Sequence, residues 1–180
     1  MRKLTKRQAE TVAKGIKLLI LDVDGVLTDG GIILDNDGNE YKVFHVRDGH
    51  GIKMLQKAGI QIAIITGRDS RVVDRRAREL GITEIFQKCH KKTVAYEELI
   101  GRLGIEEQAV AYIGDDVVDI PLFKRVALAV AVADSADEAK AEAMLVTKAR
   151  GGRGAVREIC DLILKANGKW KLLLDEYNQA

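Results

Sequence analysis

Residues 16–21 (Ile-Lys-Leu-Leu-Ile-Leu) run almost unbroken in apolar side chains and then meet a cluster of aspartates beginning at Asp22. A short apolar run that stops at polar residues suits a central β-strand covered on both faces. Comparable runs recur at 61–66, 109–114 and 126–132, and each ends in polar or glycine-containing sequence. Helical patterns lie between them. Residues 50–58, 69–80 and 92–103 carry apolar residues at helical spacing, including Val94, Ala95, Leu99 and Leu103 in the third, and glycine follows each as a stop. Ser135-Ala136-Asp137-Glu138 reads as a capping box, and 155–164 as a further amphipathic helix burying Val156, Ile159, Cys160 and Ile163. Alternation of this kind predicts an α/β protein, a doubly wound parallel sheet with helices on both faces.

One segment breaks the pattern. Residues 31–34 and 41–46 read as two short strands around Asp35-Asn36-Asp37-Gly38-Asn39, whose residue types tolerate a left-handed backbone. The expectation is a β-hairpin over about 30–46, projecting from the strand end that carries Asp22. Without repeats or linkers, residues 1–180 read as a single domain with a C-terminal tail at about 150–180.

Charge and composition narrow the function classes. A net charge of +2 gives no argument for nucleic acid. No run reaches the roughly 18 apolar residues a membrane span needs, and no apolar stretch follows the basic N-terminus. Cys89 and Cys160 have no metal-like spacing and are expected as buried thiols in a reducing compartment. These observations predict a cytoplasmic protein with neither a nucleic-acid nor a membrane partner.

Three features fall at the ends of three predicted strands: Asp22-Val23-Asp24-Gly25, then Thr66-Gly67-Arg68, then Gly114-Asp115-Asp116-Val117-Val118-Asp119. Parallel sheets bind ligands at their carboxyl ends. Carboxylates converging there repel unless a cation neutralises them, and all-oxygen donors favour magnesium over zinc. A carboxylate can attack phosphorus and split hydrolysis into two easier steps. Asp22 is placed for that attack, and Asp24 to protonate the leaving alcohol and then deprotonate water. Asp115 would hold the metal against Asp22. The Thr66 hydroxyl, the Lys92 ammonium, and the backbone amides at Gly67 and the following helix start would face the transferring phosphoryl oxygens.

In that order these motifs resemble the haloacid dehalogenase superfamily over essentially the whole chain. The resemblance implies that Mg2+ binds the side chains of Asp22 and Asp115 and the backbone carbonyl of Asp24. It implies that Asp116 supports the metal through water and that Asp119 orients Lys92. An acid two residues after the nucleophile marks phosphatases and phosphomutases in that superfamily. Three segments are similar to the family of 3-deoxy-D-manno-octulosonate 8-phosphate phosphatases: 22–30, Phe44-His45-Val46-Arg47-Asp48-Gly49-His50-Gly51-Ile52, and Gly151-Gly152-Arg153-Gly154-Ala155-Val156-Arg157-Glu158. About forty residues separate Asp24 from Thr66, room for a hairpin but not for a cap domain.

The family implies a homotetramer whose hairpins pack together and whose neighbouring subunit closes each site. It also implies the free sugar acid as product, for lipopolysaccharide. Ile32, Ile33, Val43 and Phe44 would otherwise be an exposed apolar liability. Arg68 is expected to pair with the phosphate or the substrate carboxylate. Arg47 and Asp48 either contact sugar or cap a helix. The glycine-rich stretch carrying Arg150 and Arg153 is expected to be flexible and to fold over an anionic sugar acid. His45 and His50 are expected in packing or hairpin contacts, and His90 at the surface. Three rival readings are a nine-carbon sugar-acid 9-phosphate phosphatase of the sialic-acid type, a phosphomutase, and a non-catalytic tetramerising module. The missing cap disfavours the second. The third predicts a lost nucleophile or lysine, whereas Asp22, Asp24, Lys92 and Asp115 are all present.

Overall fold

The computed structural model describes residues 3–179. Four of the expected strands form as β1 (Leu18–Leu21), β4 (Gln61–Ile65), β6 (Val110–Gly114) and β7 (Leu128–Ala131). Two edge strands that the apolar runs did not reveal, β5 (Glu84–Phe86) and β8 (Leu145–Val146), complete a six-stranded sheet in the order β5-β4-β1-β6-β7-β8. Every pairing in it is parallel. The hairpin is a separate two-stranded sheet of β2 (Ile33–Leu34) and β3 (Glu40–Tyr41). Both strands are shorter than expected: residues 42–45 continue without ladder pairing, and the chain enters a helix at Val46.

The central strands are buried on both sides, and their alternation feeds two cores. Leu19, Leu21, Ile62, Ile64, Ala111, Ile113, Leu128 and Val130 point into one; Leu18, Ile20, Ala63, Ile65, Val110, Tyr112, Ala129 and Ala131 point into the other. The first core is closed by α1 (Lys6–Ala13), α2 (Val46–Lys57), α3 (Arg71–Leu80) and α7 (Ala155–Ala166), with Ile52, Val73, Ile159 and Ile163 among its members. The second is closed by α4 (Lys92–Leu103), α5 (Ile120–Phe123) and α6 (Asp137–Glu142). A last helix, α8 (Trp170–Gln179), packs back through Leu173. The α1 helix escaped the sequence reading although Thr5 and Gln8 form a capping box there.

Three local expectations are corrected. The predicted capping box at Ser135 does not form, since Ala136 holds the cap position of α6 and Ser135 is buried, donating to the Gly114 carbonyl at 3.5 Å. Val94 lies on the solvent face of α4, where Tyr96 and Lys92 turn inward instead. Phe44 is half-buried against the first core and faces Arg76, while Ile32, Ile33, Leu34, Tyr41 and Val43 stay exposed on the hairpin. Both cysteines are free; Cys160 is buried and Cys89 only partly so. No described helix is long and apolar enough to cross a membrane.

Candidate active site

Leu21 stands beside Ile64 on one side and Ile113 on the other. The first residues beyond the three strands, Asp22, Thr66 and Asp115, therefore emerge together at one edge. Because β4 and β6 flank β1 and the chain departs from β1 in both directions, this is the switch point of the sheet. A cleft of about 450 Å³ opens there, lined by Asp22, Asp24, Gly25, Gly30, Thr66, Gly67, Arg68, Cys89, His90, Lys92, Asp115, Asp116 and Val118.

The nucleophile candidate is fixed from two sides. Val23 N donates to Asp22 Oδ1 at 2.7 Å, and Lys92 Nζ donates to Oδ2 at 2.6 Å. Lys92 is delivered by the first residue of α4 and is buried. Its remaining protons reach Asp119 Oδ1 at 2.6 Å and the Tyr112 hydroxyl at 3.2 Å. Tyr112 donates in turn to Asp119 Oδ1 at 2.6 Å, while Asp119 Oδ2 accepts from the amides of Asp115 and Asp116 at 2.8 and 3.2 Å. A fully buried carboxylate is costly unless every lone pair is met, and here each oxygen has two donors. Asp119 thus anchors the lysine and the metal-side loop at once. Gly25 makes room for that loop. Its φ is +84°, and a Cβ there would lie 2.1 Å from Asp115 Oδ2.

Burial and mutual repulsion shape the ionisation. Burial pushes the Asp22 carboxyl up to about 6, although Lys92 opposes the shift. Burial, then the charges of Asp119 and Asp22, push Asp115 up to about 7. Burial alone would lower Lys92, but Asp22 and Asp119 outweigh it and raise it above its ordinary value. Oxygens of Asp22, Asp115 and Asp119 lie within 4.8 Å of one another. With Asp119 committed to Lys92, Tyr112 and two amides, Asp22 and Asp115 are the pair left facing the cleft. An all-oxygen set of like charges suits a hard divalent cation.

A stability consequence follows. Between the unfolded carboxylate value near 4 and about 7, the metal-free fold retains protons that the unfolded chain has released. Its stability therefore falls as pH rises through that window. A bound cation cancels the repulsion but must displace those protons at low pH. Millimolar Mg2+ should raise the melting temperature more at pH 8 than at pH 5.5 in a thermal-shift measurement. An equal rise at both would contradict a metal held by Asp22 and Asp115.

The other sequence candidates divide. Thr66, Gly67 and Arg68 line the cleft, Thr66 being buried. The helix after them opens at Arg71, later than expected, with Ser70 as its cap, so its N-terminus is set back from Gly67. Asp116 lines the rim and accepts the Val117 amide at 2.7 Å. Arg47 lies exposed on α2 and Arg153 pairs with Asp29 at 3.2 Å; neither is among the described residues lining the cleft. Asp48 does cap a helix, but α7 rather than its own: it accepts the amides of Gly154 and Arg157 at 3.2 and 2.7 Å. The stretch 150–154 is not a flexible flap. Gly151 and Gly152 are buried, and Gly152 N donates to the Val26 carbonyl at 2.9 Å, beneath the Asp22 loop. His50 packs edge-tilted on Tyr177, and His90 is exposed at the cleft.

Tyr112, Lys42, Glu40 and Ser70 were missed. A tyrosine in an apolar strand reads as core, and a lysine in a hairpin as a solvated charge. Lys42 nevertheless ion-pairs with Asp24, with its side chain 1% exposed.

Residues 76–159 match the family of haloacid dehalogenase-like hydrolases, a stretch that holds Lys92 and Asp115 but not Asp22. A 3-deoxy-D-manno-octulosonate 8-phosphate phosphatase from Escherichia coli (strain K12) is 49% identical over 163 residues, 89% of this chain and 87% of the relative. The phosphatase of that name from Moraxella catarrhalis, solved with a magnesium ion, a phosphate ion and KDO, is 43% identical. It superposes with a TM-score of 0.93 over 95% of this chain and 98% of that one. A cobalt-bound form of the Haemophilus influenzae phosphatase is 46% identical, with a TM-score of 0.85 over 88% and 92%.

Proposed function

The chain belongs to the family of 3-deoxy-D-manno-octulosonate 8-phosphate phosphatases, and from that premise we propose how its cleft performs the reaction. The enzyme is a Mg2+-dependent phosphatase that hydrolyses the 8-phosphate of this eight-carbon sugar acid. An Asp22 carboxylate oxygen attacks phosphorus, the bond from phosphorus to the sugar oxygen breaks, and Asp24 supplies the proton that the leaving alkoxide needs. Asp24, now a carboxylate, takes a proton from water. The resulting hydroxide attacks the aspartyl-phosphate, and cleavage of the phosphorus–Asp22 bond restores Asp22 and releases phosphate.

Lys92, the Thr66 hydroxyl and the Gly67 amide meet the phosphoryl oxygens, and Tyr112 and Asp119 hold Lys92 in place. Asp22 and Asp115, with the Asp24 carbonyl and with Asp116 acting through water, would hold Mg2+, which when bound would supply positive charge to the phosphoryl group and relieve the carboxylate repulsion. The observation that carries this reading is the two-sided grip on Asp22 by Val23 N and Lys92 at the open end of the sheet.

We further propose the homotetramer. Ile32, Ile33, Leu34, Tyr41, Val43 and Val46 form an exposed apolar surface on and beside the hairpin, next to an uncapped cleft, and a second subunit would cover both. Arg47 and Arg153, outside the cleft of one subunit, would then face substrate bound at another. The lipopolysaccharide role and a cytoplasmic setting belong to this proposal, supported by the two free thiols.

Purified protein with Mg2+ should turn over 3-deoxy-D-manno-octulosonate 8-phosphate at a kcat/KM at least tenfold above a nine-carbon sugar-acid 9-phosphate. Both should exceed p-nitrophenyl phosphate. Preference for the nine-carbon acid would overturn the substrate, and equal rates on all three would overturn sugar-acid recognition.

A further inference from the structure

We infer that Lys42 is a positioning residue for Asp24, holding that carboxylate at the reacting phosphate through a charge network built into the base of the hairpin. The hairpin's large apolar side chains face solvent: Ile33, Leu34, Tyr41 and Val43 are each half-exposed or more. Lys42 does the opposite. Its side chain is 1% exposed, and its ammonium forms an ion pair with Asp24 Oδ1 and lies 3.3 Å from Glu40 Oε1. Arg68, arriving from the end of β4, places Nε 3.6 Å from Asp24 Oδ2 and donates through Nη2 to Glu40 Oε1 at 2.9 Å. Glu40 Oε2 accepts from Ser70 Oγ at the cap of α3.

The two cations thus reach the two oxygens of Asp24 from different elements, and Glu40 bridges them. Two positive and two negative side chains balance, which is the condition under which a lysine head survives burial. Arg68 is 45% exposed and free to turn toward an incoming anion, whereas the Lys42 side chain is 1% exposed and is held between Asp24 and Glu40. A proton donor must be held within about half an ångström of its productive position beside the leaving oxygen to work well. Among the described residues, Lys42 is the buried group that does this for Asp24. The hairpin is therefore part of the catalytic frame as well as an apolar surface.

The inference rests on Asp24 as the proton-transfer group, and leaving groups separate the two ideas. Expulsion of a sugar alkoxide needs a proton, whereas expulsion of p-nitrophenolate does not. First-turnover rates should be measured for both esters with Mg2+. Lys42→Met should slow sugar release by on the order of 10- to 100-fold, with the sugar-phosphate KM moved less than threefold. Nitrophenolate release should fall by much less, and Lys42→Arg should recover most of the loss. Asp24→Asn should show the same selectivity more strongly.

Equal losses on both esters for K42M, beside a selective D24N, overturn the role of Lys42 alone. Equal losses for D24N overturn proton transfer by Asp24, and the Lys42 inference falls with it. Should K42M fail to fold, Glu40→Gln, which unbalances the same network, must show the selective loss; an unselective loss there overturns the inference.

Discussion

Asp22→Asn should reduce turnover of the sugar phosphate by on the order of 10⁴-fold or more, with no change in fold or assembly. The amide has the shape of the carboxylate but no nucleophilic oxygen anion, so the covalent step is lost rather than slowed by misplacement. The same change removes one member of a crowded acidic group. Asp22 and Asp115 are both pushed up by burial, and each charge raises the cost of the other. Without Mg2+, the variant should therefore melt no lower than the parent at pH 8, because repulsion is relieved even as Lys92 loses one partner and keeps Asp119. The stabilisation by Mg2+ should shrink sharply. Light scattering should return the mass of four chains for both proteins. Residual turnover within tenfold of the parent would sink the nucleophile assignment; a monomer mass for the parent would sink the tetramer.

The fold was legible wherever burial on both faces erased sequence ambiguity. Strands β1, β4, β6 and β7 are apolar, apart from the exposed Gln61 that opens β4, because both faces are covered, and the carboxylates follow because ligands gather where such strands end. The edge strands β5 and β8 were not legible. Glu84–Phe86 and Leu145–Val146 are two or three residues long and half-buried, so they carry no periodicity to read. The site shows the same division. Asp22, Asp24 and Asp115 announce themselves through spacing within short motifs. Tyr112, Lys42 and Glu40 act through contacts across 7, 18 and 28 residues of chain, and nothing local marks them. Side chains whose role is to hold another side chain look in sequence like whatever their element ordinarily contains. Asp48 illustrates the reverse case. Placed at the start of α2 it suggested a cap, and the principle held while the helix it serves lies more than a hundred residues on.

The largest structural effect expected of one added methyl group is at Gly151. Its amide donates to Asp134 Oδ1 at 2.9 Å, which seats the turn directly under the nucleophile loop. A Cβ there would stand 1.7 Å from the Gly25 carbonyl oxygen and 2.5 Å from its carbon. Those are backbone atoms and cannot rotate away, so either the turn or the Asp22 loop must move. Gly151→Ala should cost about 3 kcal/mol or more, at the upper end of what overpacking does. For a domain of this length that is a fall of roughly 6–12 °C in melting temperature. Activity should fall further than stability alone requires. Displacing Gly25 displaces Asp24 beside it, and a misplacement near 1 Å costs on the order of 10²-fold in rate.

Gly101 supplies the control, since it lies inside α4 and a Cβ there meets nothing within 4 Å. Gly101→Ala should stabilise by about 0.5–1 kcal/mol through helix propensity and leave kcat unchanged. The same chemical change therefore has opposite signs at two glycines. Calorimetry of the two variants, with kcat measured below both transitions, decides it: a Gly151→Ala protein that melts with the parent and turns over normally would show that the glycine-rich turn does not buttress the nucleophile loop.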